Sequence, residues 1–235
     1  MFQTNPFSLI VLFVGLSLLP FVAMVATSYL KIVVVMSLIR NALGIQSIPP
    51  NMVVNALAMV LTFYIMAPVA SESWKNIVES QTSGAQQTAA VSNQTSGEAE
   101  SAAIDLSSFD MDAASRPFRE WLSAHTSDRE RAFFVHTAER LWARGDGEPA
   151  TVDPDSFFIL IPSFCVSELT KAFQIGFLVY LPFIAIDIIV SNILLAMGMM
   201  MVSPVTISLP FKLLLFVMVN GWTLLIQGLV RGYTI

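Results

Sequence analysis

Charge is scarce in this sequence. Among 235 residues there are 12 basic and 17 acidic side chains, 12% of the chain, against about 25% in a soluble domain. With 55% hydrophobic residues and a mean hydropathy of +0.69, that deficit points to a membrane-inserted or multiply packed helical protein. A basic excess is also missing. The net charge of −5 excludes the electrostatic footprint of a nucleic-acid partner. The single cysteine, Cys165, excludes an intrachain disulfide framework and reads as a small apolar packing residue. No GxxxxGK[ST] loop is present to cradle a phosphate, so energy from ATP would have to come from a partner. Neither HExxH nor a GxSxG elbow occurs. His125 and His136, eleven apart with no supporting cysteine, make a poor metal site. No enzyme site, metal or cofactor is expected. No charge precedes Lys31, so the basic n-region of a secretory signal is missing and the first apolar segment reads as part of the mature protein.

Four apolar blocks account for most of the sequence. The first, Phe7 to Leu30, is 24 residues without a charge; as a helix it spans about 36 Å, enough for a bilayer. The others are Ile48 to Ala70, Ala172 to Val202 and Ile207 to Val230. Sixteen of the seventeen acidic residues fall between Glu72 and Glu168. Within that stretch, residues 80–103 are rich in Ser, Thr, Gln, Ala and Gly, and a flexible loop is expected there. Two amphipathic helices follow. Ser115 is placed to cap the first, with Phe118, Trp121 and Leu122 on one face. Ser127 and Glu130 fit a capping box for the second, which carries Phe134, Ala138, Leu141 and Trp142 at helical spacing and stops at Gly145. The expected division is an N-terminal helical hairpin over 1–71, a polar loop over 72–112, extramembrane helices over 113–165 and a C-terminal helical hairpin over 166–235. Lys31 and Arg40, without an acid between the first two blocks, put that connection in the cytoplasm and the acidic segment and both termini outside.

The apolar blocks carry polar stripes that a lipid-facing helix would lack. Asn51, Asn55 and Thr62 share a face, as do Tyr180, Asp187 and Ser191; Asn220 and Gln227 are seven apart. Gly15, Gly176, Gly198, Gly221 and Gly228 permit close helix contact, and prolines at 20, 49, 50, 68, 182, 204 and 210 kink or break helices. Such helices pack mainly against protein, and an oligomer is the natural solution. Asp187, ionisable and deep in an apolar block, is a functional candidate: either a proton relay, or a structural pair with Lys212 or a partner subunit. Lys212 alone would snorkel. Lys31 and Arg40 alone read as flanking charges. With Glu168, Asn51, Asn55, Asp187 and Lys212, they complete the set of expected inter-helix or inter-subunit polar contacts.

Between the last two blocks lies Met197-Gly198-Met199-Met200-Met201-Val202-Ser203-Pro204. Three consecutive methionines in a helix would spread over most of its circumference, so no single core stripe absorbs them. Unbranched, polarizable side chains of this kind adapt to irregular surroundings. They suit a ring that closes on itself or moulds around something moving through it.

Four stretches carry a family resemblance. They are Tyr29-Leu-Lys31 through Leu38-Ile-Arg40-Asn41-Ala-Leu-Gly44; Ile48-Pro49-Pro50-Asn51 with Thr62-Phe-Tyr-Ile-Met-Ala-Pro68; Ser167-Glu168-Leu169 with Ala172-Phe-Gln-Ile-Gly-Phe177; and Leu181-Pro182-Phe183 through Asp187, the methionine run and Ile207-Ser-Leu-Pro210-Phe211-Lys212 to Gly221-Trp222. The sequence resembles the bacterial type III secretion export-apparatus R subunit, related to the flagellar biosynthesis P protein, over about residues 7–78 and 115–232. Flagellar members usually begin with a cleavable signal peptide, so the missing n-region favours an injectisome. The resemblance implies an all-helical protein of the inner membrane. It implies five copies assembling with several S subunits and one T subunit into the core of an export gate for unfolded secreted proteins. Its hydrophobic segments would be bent hairpins held largely above the membrane plane. It also implies a methionine gasket around the closed channel, matched here by Met199, Met200 and Met201. The residues themselves leave a rival open: a proton- or ion-conducting membrane protein centred on Asp187.

Overall fold

The computed structural model describes residues 6–45, 49–91, 111–143 and 151–233. Among the described residues every regular element is a helix: α1 (Pro6–Val25), α2 (Tyr29–Ala42), α3 (Asn51–Val91), α4 (Met111–His125), α5 (Asp128–Leu141), α6 (Phe157–Ala196), α7 (Pro204–Met218) and α8 (Gly221–Arg231). The expected all-α class is the observed one.

The centre is α2. Ile32, Val35, Met36 and Ile39 recur at helical spacing and are 1% exposed or less, giving one inward stripe. It packs against α6, whose Leu160, Phe164, Glu168, Ala172 and Gly176 recur every fourth residue and are all buried. That i±4 ridge is the usual packing surface of crossing helices. At Gly176 the contact is so close that a Cβ would lie 2.3 Å from Leu38 Cδ1. Helix α3 packs on α2 and α4, and α5 on α6.

Several boundaries differ from the sequence reading. The first block is not one helix. It breaks at Ala26–Ser28, bending 53° between α1 and α2. The Thr27 hydroxyl donates to the Ala23 carbonyl at 2.6 Å, a side-chain bond of the kind that bends helices. The second block does not end at Ala70. Helix α3 runs on to Val91, across the expected 71/72 boundary and through the first half of the 80–103 tract. Extending an existing helix avoids the cost of nucleating one, and no proline falls between Pro68 and Pro117. The rest of the expected loop, residues 92–103, lies outside the described residues, as does Gly145.

Helix α4 starts at Met111, so Ser115 is not its cap; the Ser115 hydroxyl bonds back to the Asp112 carbonyl at 3.3 Å. Pro117, inside α4, has no N–H for the Ala113 carbonyl, and Asn76 Nδ2 of α3 donates to that oxygen instead, at 3.2 Å. Ser127 does sit at the N-cap of α5, but its side chain makes no capping bond. Its backbone N–H donates to Ser167 Oγ of α6 at 2.9 Å. The boundary expected at 165/166 falls inside the 40-residue α6. The fourth block breaks at Asn220 (φ 51°), bending 60° between α7 and α8. Gly221 follows it, where a Cβ would strike the Phe216 ring at 2.3 Å.

Two segments, Asn51–Glu79 and Phe157–Ala196, are long and apolar enough to cross a membrane. The bent pairs α1–α2 and α7–α8 each qualify when taken together.

Candidate functional site: a methionine turn and two buried charge clusters

The methionine run is not helical. It is the turn at the tip of the α6–α7 hairpin, and glycine and proline punctuate it. Gly198 takes a left-handed φ of 71°. Its N–H bonds to the Leu195 carbonyl and the Met199 N–H to that of Leu194, both at 3.0 Å, closing α6 with a Schellman motif. Ser203 is the N-cap of α7 and Pro204 its first residue, where a missing N–H costs nothing. The thioethers between point outward: Met199 is 42% exposed, Met200 82% and Met201 101%.

Behind this turn Asp187 of α6 meets α7. Lys212 Nζ lies 2.6 Å from Asp187 Oδ2, and Ser208 Oγ donates to Oδ1 at 2.5 Å. Ser208 stands one turn before Lys212, so both reach the same carboxylate. The ammonium also donates to the Ala42 carbonyl at 3.3 Å. Ala42 ends α2, where carbonyls lack helical partners and a cation is favoured. One buried lysine therefore ties α2, α6 and α7 together.

The second cluster surrounds Glu168, which is fully buried. Lys31 Nζ of α2 lies 3.1 Å from Oε2, and Lys171 Nζ 3.0 Å from Oε1. Lys171 also donates to the His125 carbonyl at 2.7 Å, at the end of α4. Tyr233, beyond α8, donates its hydroxyl to Glu168 Oε2. The ring of Tyr233 carries the Lys31 ammonium at 3.5 Å from its centroid, a favourable cation–π placement. Trp121 and His125 of α4 lie against the same ring at 6.0 and 5.3 Å. Burial, then the charge and hydrogen bond of Glu168, raise the phenol well above its ordinary range, so the hydroxyl stays a donor.

Lys31 is thus not a flanking charge. It is 3% exposed, because Glu168 and the Tyr233 face replace the water it gave up. Arg40 stays near the end of α2, where Nη1 donates to Asn51 Oδ1 and, at 3.2 Å, to the Pro49 carbonyl, fixing the α2–α3 connection. Asn55, Asn220 and Gln227 are exposed, and Tyr180, Ser191 and Thr62 half-buried. Among the five glycines expected at close contacts, Gly176 and Gly221 meet neighbours in the chain, whereas Gly15, Gly198 and Gly228 have none within 4 Å. His125 is buried and His136 exposed. Among the described residues no group of three or more His, Cys, Asp or Glu is placed to hold a metal.

Sequence reasoning missed Tyr233, Lys171, Ser208 and His125. Helical spacing places Lys171 beside Glu168 and Ser208 beside Lys212. Nothing local marks Tyr233, which lies 65 residues from the carboxylate it binds.

Comparison with known proteins adds a lineage to this geometry. Residues 12–229 match the FliP family. The chain is 48% identical over 226 residues to the Yop proteins translocation protein R of Yersinia pestis, covering 96% of this chain and 95% of that one. It is 47% identical over 227 residues to the hypersensitivity response secretion protein HrcR of Ralstonia nicotianae, covering 96% of each. It is 43% identical over 233 residues to the virulence protein YscR of Salmonella typhimurium, covering 98% of each.

Proposed function

Since this chain belongs to the FliP family and is a type III secretion R subunit, we propose that it lines the pore of the export gate and conducts unfolded proteins across the bacterial inner membrane. Five copies would assemble with S and T subunits, and the 72–170 segment would face the periplasm. Met199, Met200 and Met201 form the gasket of the closed channel. The observation that carries this reading is the methionine turn itself: three consecutive thioethers held out from a hairpin tip, two of them almost wholly exposed. A seal must exclude water at rest and still accept any sequence, and flexible apolar side chains serve both needs. The exposed apolar faces support assembly: Phe63 and Tyr64 on α3 are each 71% exposed, and Phe177 on α6 is 63% exposed.

Asp187 has a bracing role here. Both carboxylate oxygens are engaged, by Lys212 and Ser208, which supports a fixed strut between α6 and α7 over a proton carrier. Two variants of the assembled, reconstituted complex test these readings. Changing Met199, Met200 and Met201 to Ala should let the resting complex leak small ions; unchanged conductance in an assembled variant would sink the gasket. Asp187→Asn should reduce recovery of the oligomer. Normal assembly with lost proton flux would favour the ion-conducting alternative.

A further inference from the structure

The methionine turn presents an oxidisable surface as well as an apolar one. In the single chain Met197, Met199, Met200 and Met201 place four thioethers within five residues, exposed by 67, 42, 82 and 101%; in the closed ring proposed above they remain open to the channel on either side of the seal. Apart from the glycine and its chain neighbours, no atom of the described residues lies within 4 Å of where a side chain on Gly198 would begin, so the backbone side of the turn is open too. By contrast Met36, in the α2 core, is 1% exposed. Thioether oxidation follows access, and it replaces a flexible apolar group by a polar one.

Resting on the gasket reading, we propose that this turn is a site of reversible methionine oxidation by two-electron oxidants of the peroxide class, and that oxidation loosens the closed seal. The step balances within the pair. With hydrogen peroxide, the sulfur lone pair attacks one oxygen, the O–O bond breaks, an S–O bond forms, and the second oxygen leaves as hydroxide, which takes the proton of the first to become water. Sulfur loses two electrons and the peroxide gains them. The product sulfoxide is a strong hydrogen-bond acceptor, and in an apolar ring it is satisfied only by admitting water. Repetition in every copy sets several such groups around one constriction. Reduction by a methionine sulfoxide reductase restores the thioether and the seal: a dithiol supplies two electrons and two protons, becomes a disulfide, and the sulfoxide oxygen leaves as water.

The test uses the assembled gate complex in vesicles, in a Cys165→Ala background that removes the thiol. Each complex is compared with its own untreated conductance. Hydrogen peroxide should raise the leak roughly tenfold or more, with sulfoxide at residues 197–201 by peptide mass spectrometry. Methionine sulfoxide reductase should reverse both. A complex with all four changed to Leu should not respond, while Met52→Leu/Met218→Leu, which removes exposed methionines of α3 and α7, should respond as the parent does. Loop methionines that stay unoxidised, or a loop that oxidises without a rise in leak, would overturn the proposal. The Met199/Met200/Met201→Ala complex separates the two readings. If it leaks while the oxidised complex does not, only the oxidation site fails; if neither leaks, the gasket fails as well.

Discussion

Removing the two ends of the Lys31–Glu168 pair should have unequal costs. Glu168→Leu leaves the Lys31 ammonium, 3% exposed, without its carboxylate and with the Tyr233 ring as its remaining favourable contact among the described residues. A buried charge stripped of its partner costs about 3–5 kcal/mol. Lys31→Met leaves Glu168 with Lys171 at 3.0 Å and the Tyr233 hydroxyl, so the carboxylate is still neutralised and hydrogen-bonded. The loss is then nearer that of one charged hydrogen bond, about 1.5–3 kcal/mol. The double variant removes both core charges. Its Lys171 side chain, 40% exposed, can turn to water, and apolar replacement of a buried pair is often neutral. The double variant should therefore recover about 2–4 kcal/mol relative to Glu168→Leu, a factor of roughly 30 to 1,000 in the unfolding constant.

Denaturant titration of the full-length chain in mild detergent reads this directly. Trp121, 6.0 Å from the Tyr233 ring, provides a fluorescent reporter at the cluster. A double variant no more stable than Glu168→Leu would refute the argument. So would a Lys31→Met variant as damaged as Glu168→Leu, since that would mean Lys171 and Tyr233 do not carry the carboxylate.

Two further outcomes follow from the same contacts. Gly176→Ala sets a methyl 2.3 Å from Leu38 Cδ1 and 3.2 Å from its Cβ, so the Leu38 side chain must leave its rotamer or α2 and α6 must move apart; a loss of about 1–3 kcal/mol is expected, with partial recovery when Leu38 is also changed to Ala, measured in the same titration. Tyr233 has a raised folded-state pKa. Above about pH 10 the unfolded phenol ionises while the folded one keeps its proton. Stability should therefore fall as pH rises beyond that point, and a Tyr233→Phe chain should lack this component of the alkaline slope.

Much of the fold was legible because one kind of signal dominates each part of it. All-helical architecture follows from four apolar blocks without strand alternation; the central helix α2, however, falls largely in the connection expected between the first two blocks, and its buried Ile32, Val35, Met36 and Ile39 stripe went unread beside Lys31 and Arg40. The ends of the methionine turn are also readable: glycine past a helix end, then Ser-Pro before the next. Helix breaks were less legible. Prolines at 20, 68, 182 and 210 suggested them, yet α1, α3, α6 and α7 run through these positions. The sharp bends fall at Thr27 and Asn220, where a hydroxyl back-bond and a left-handed residue act. Composition also misjudged residues 80–91, because a tract unable to fold alone still extends a helix already formed.

The two charge clusters explain why ordinary expectations about polarity failed here. In a soluble domain, lysine marks the surface and phenylalanine the core. In this chain Lys31, Lys212 and Glu168 are 4% exposed or less, while Met52 and Phe158 are each 82% exposed. The inversion has a physical basis. Apolar faces that meet lipid or other subunits give no contrast with the chain's own interior, so hydrophobicity alone selects no unique packing. Paired charges do, because each must find its partner or remain desolvated and alone. Lys212 joins three helices at the base of the methionine hairpin. Glu168 gathers groups from α2, α4, α6 and the chain end. Specificity of fold thus rests on a few buried ions; under the proposed function, that leaves the apolar outer faces and the flexible methionines at the hairpin tip for partners and passing substrate.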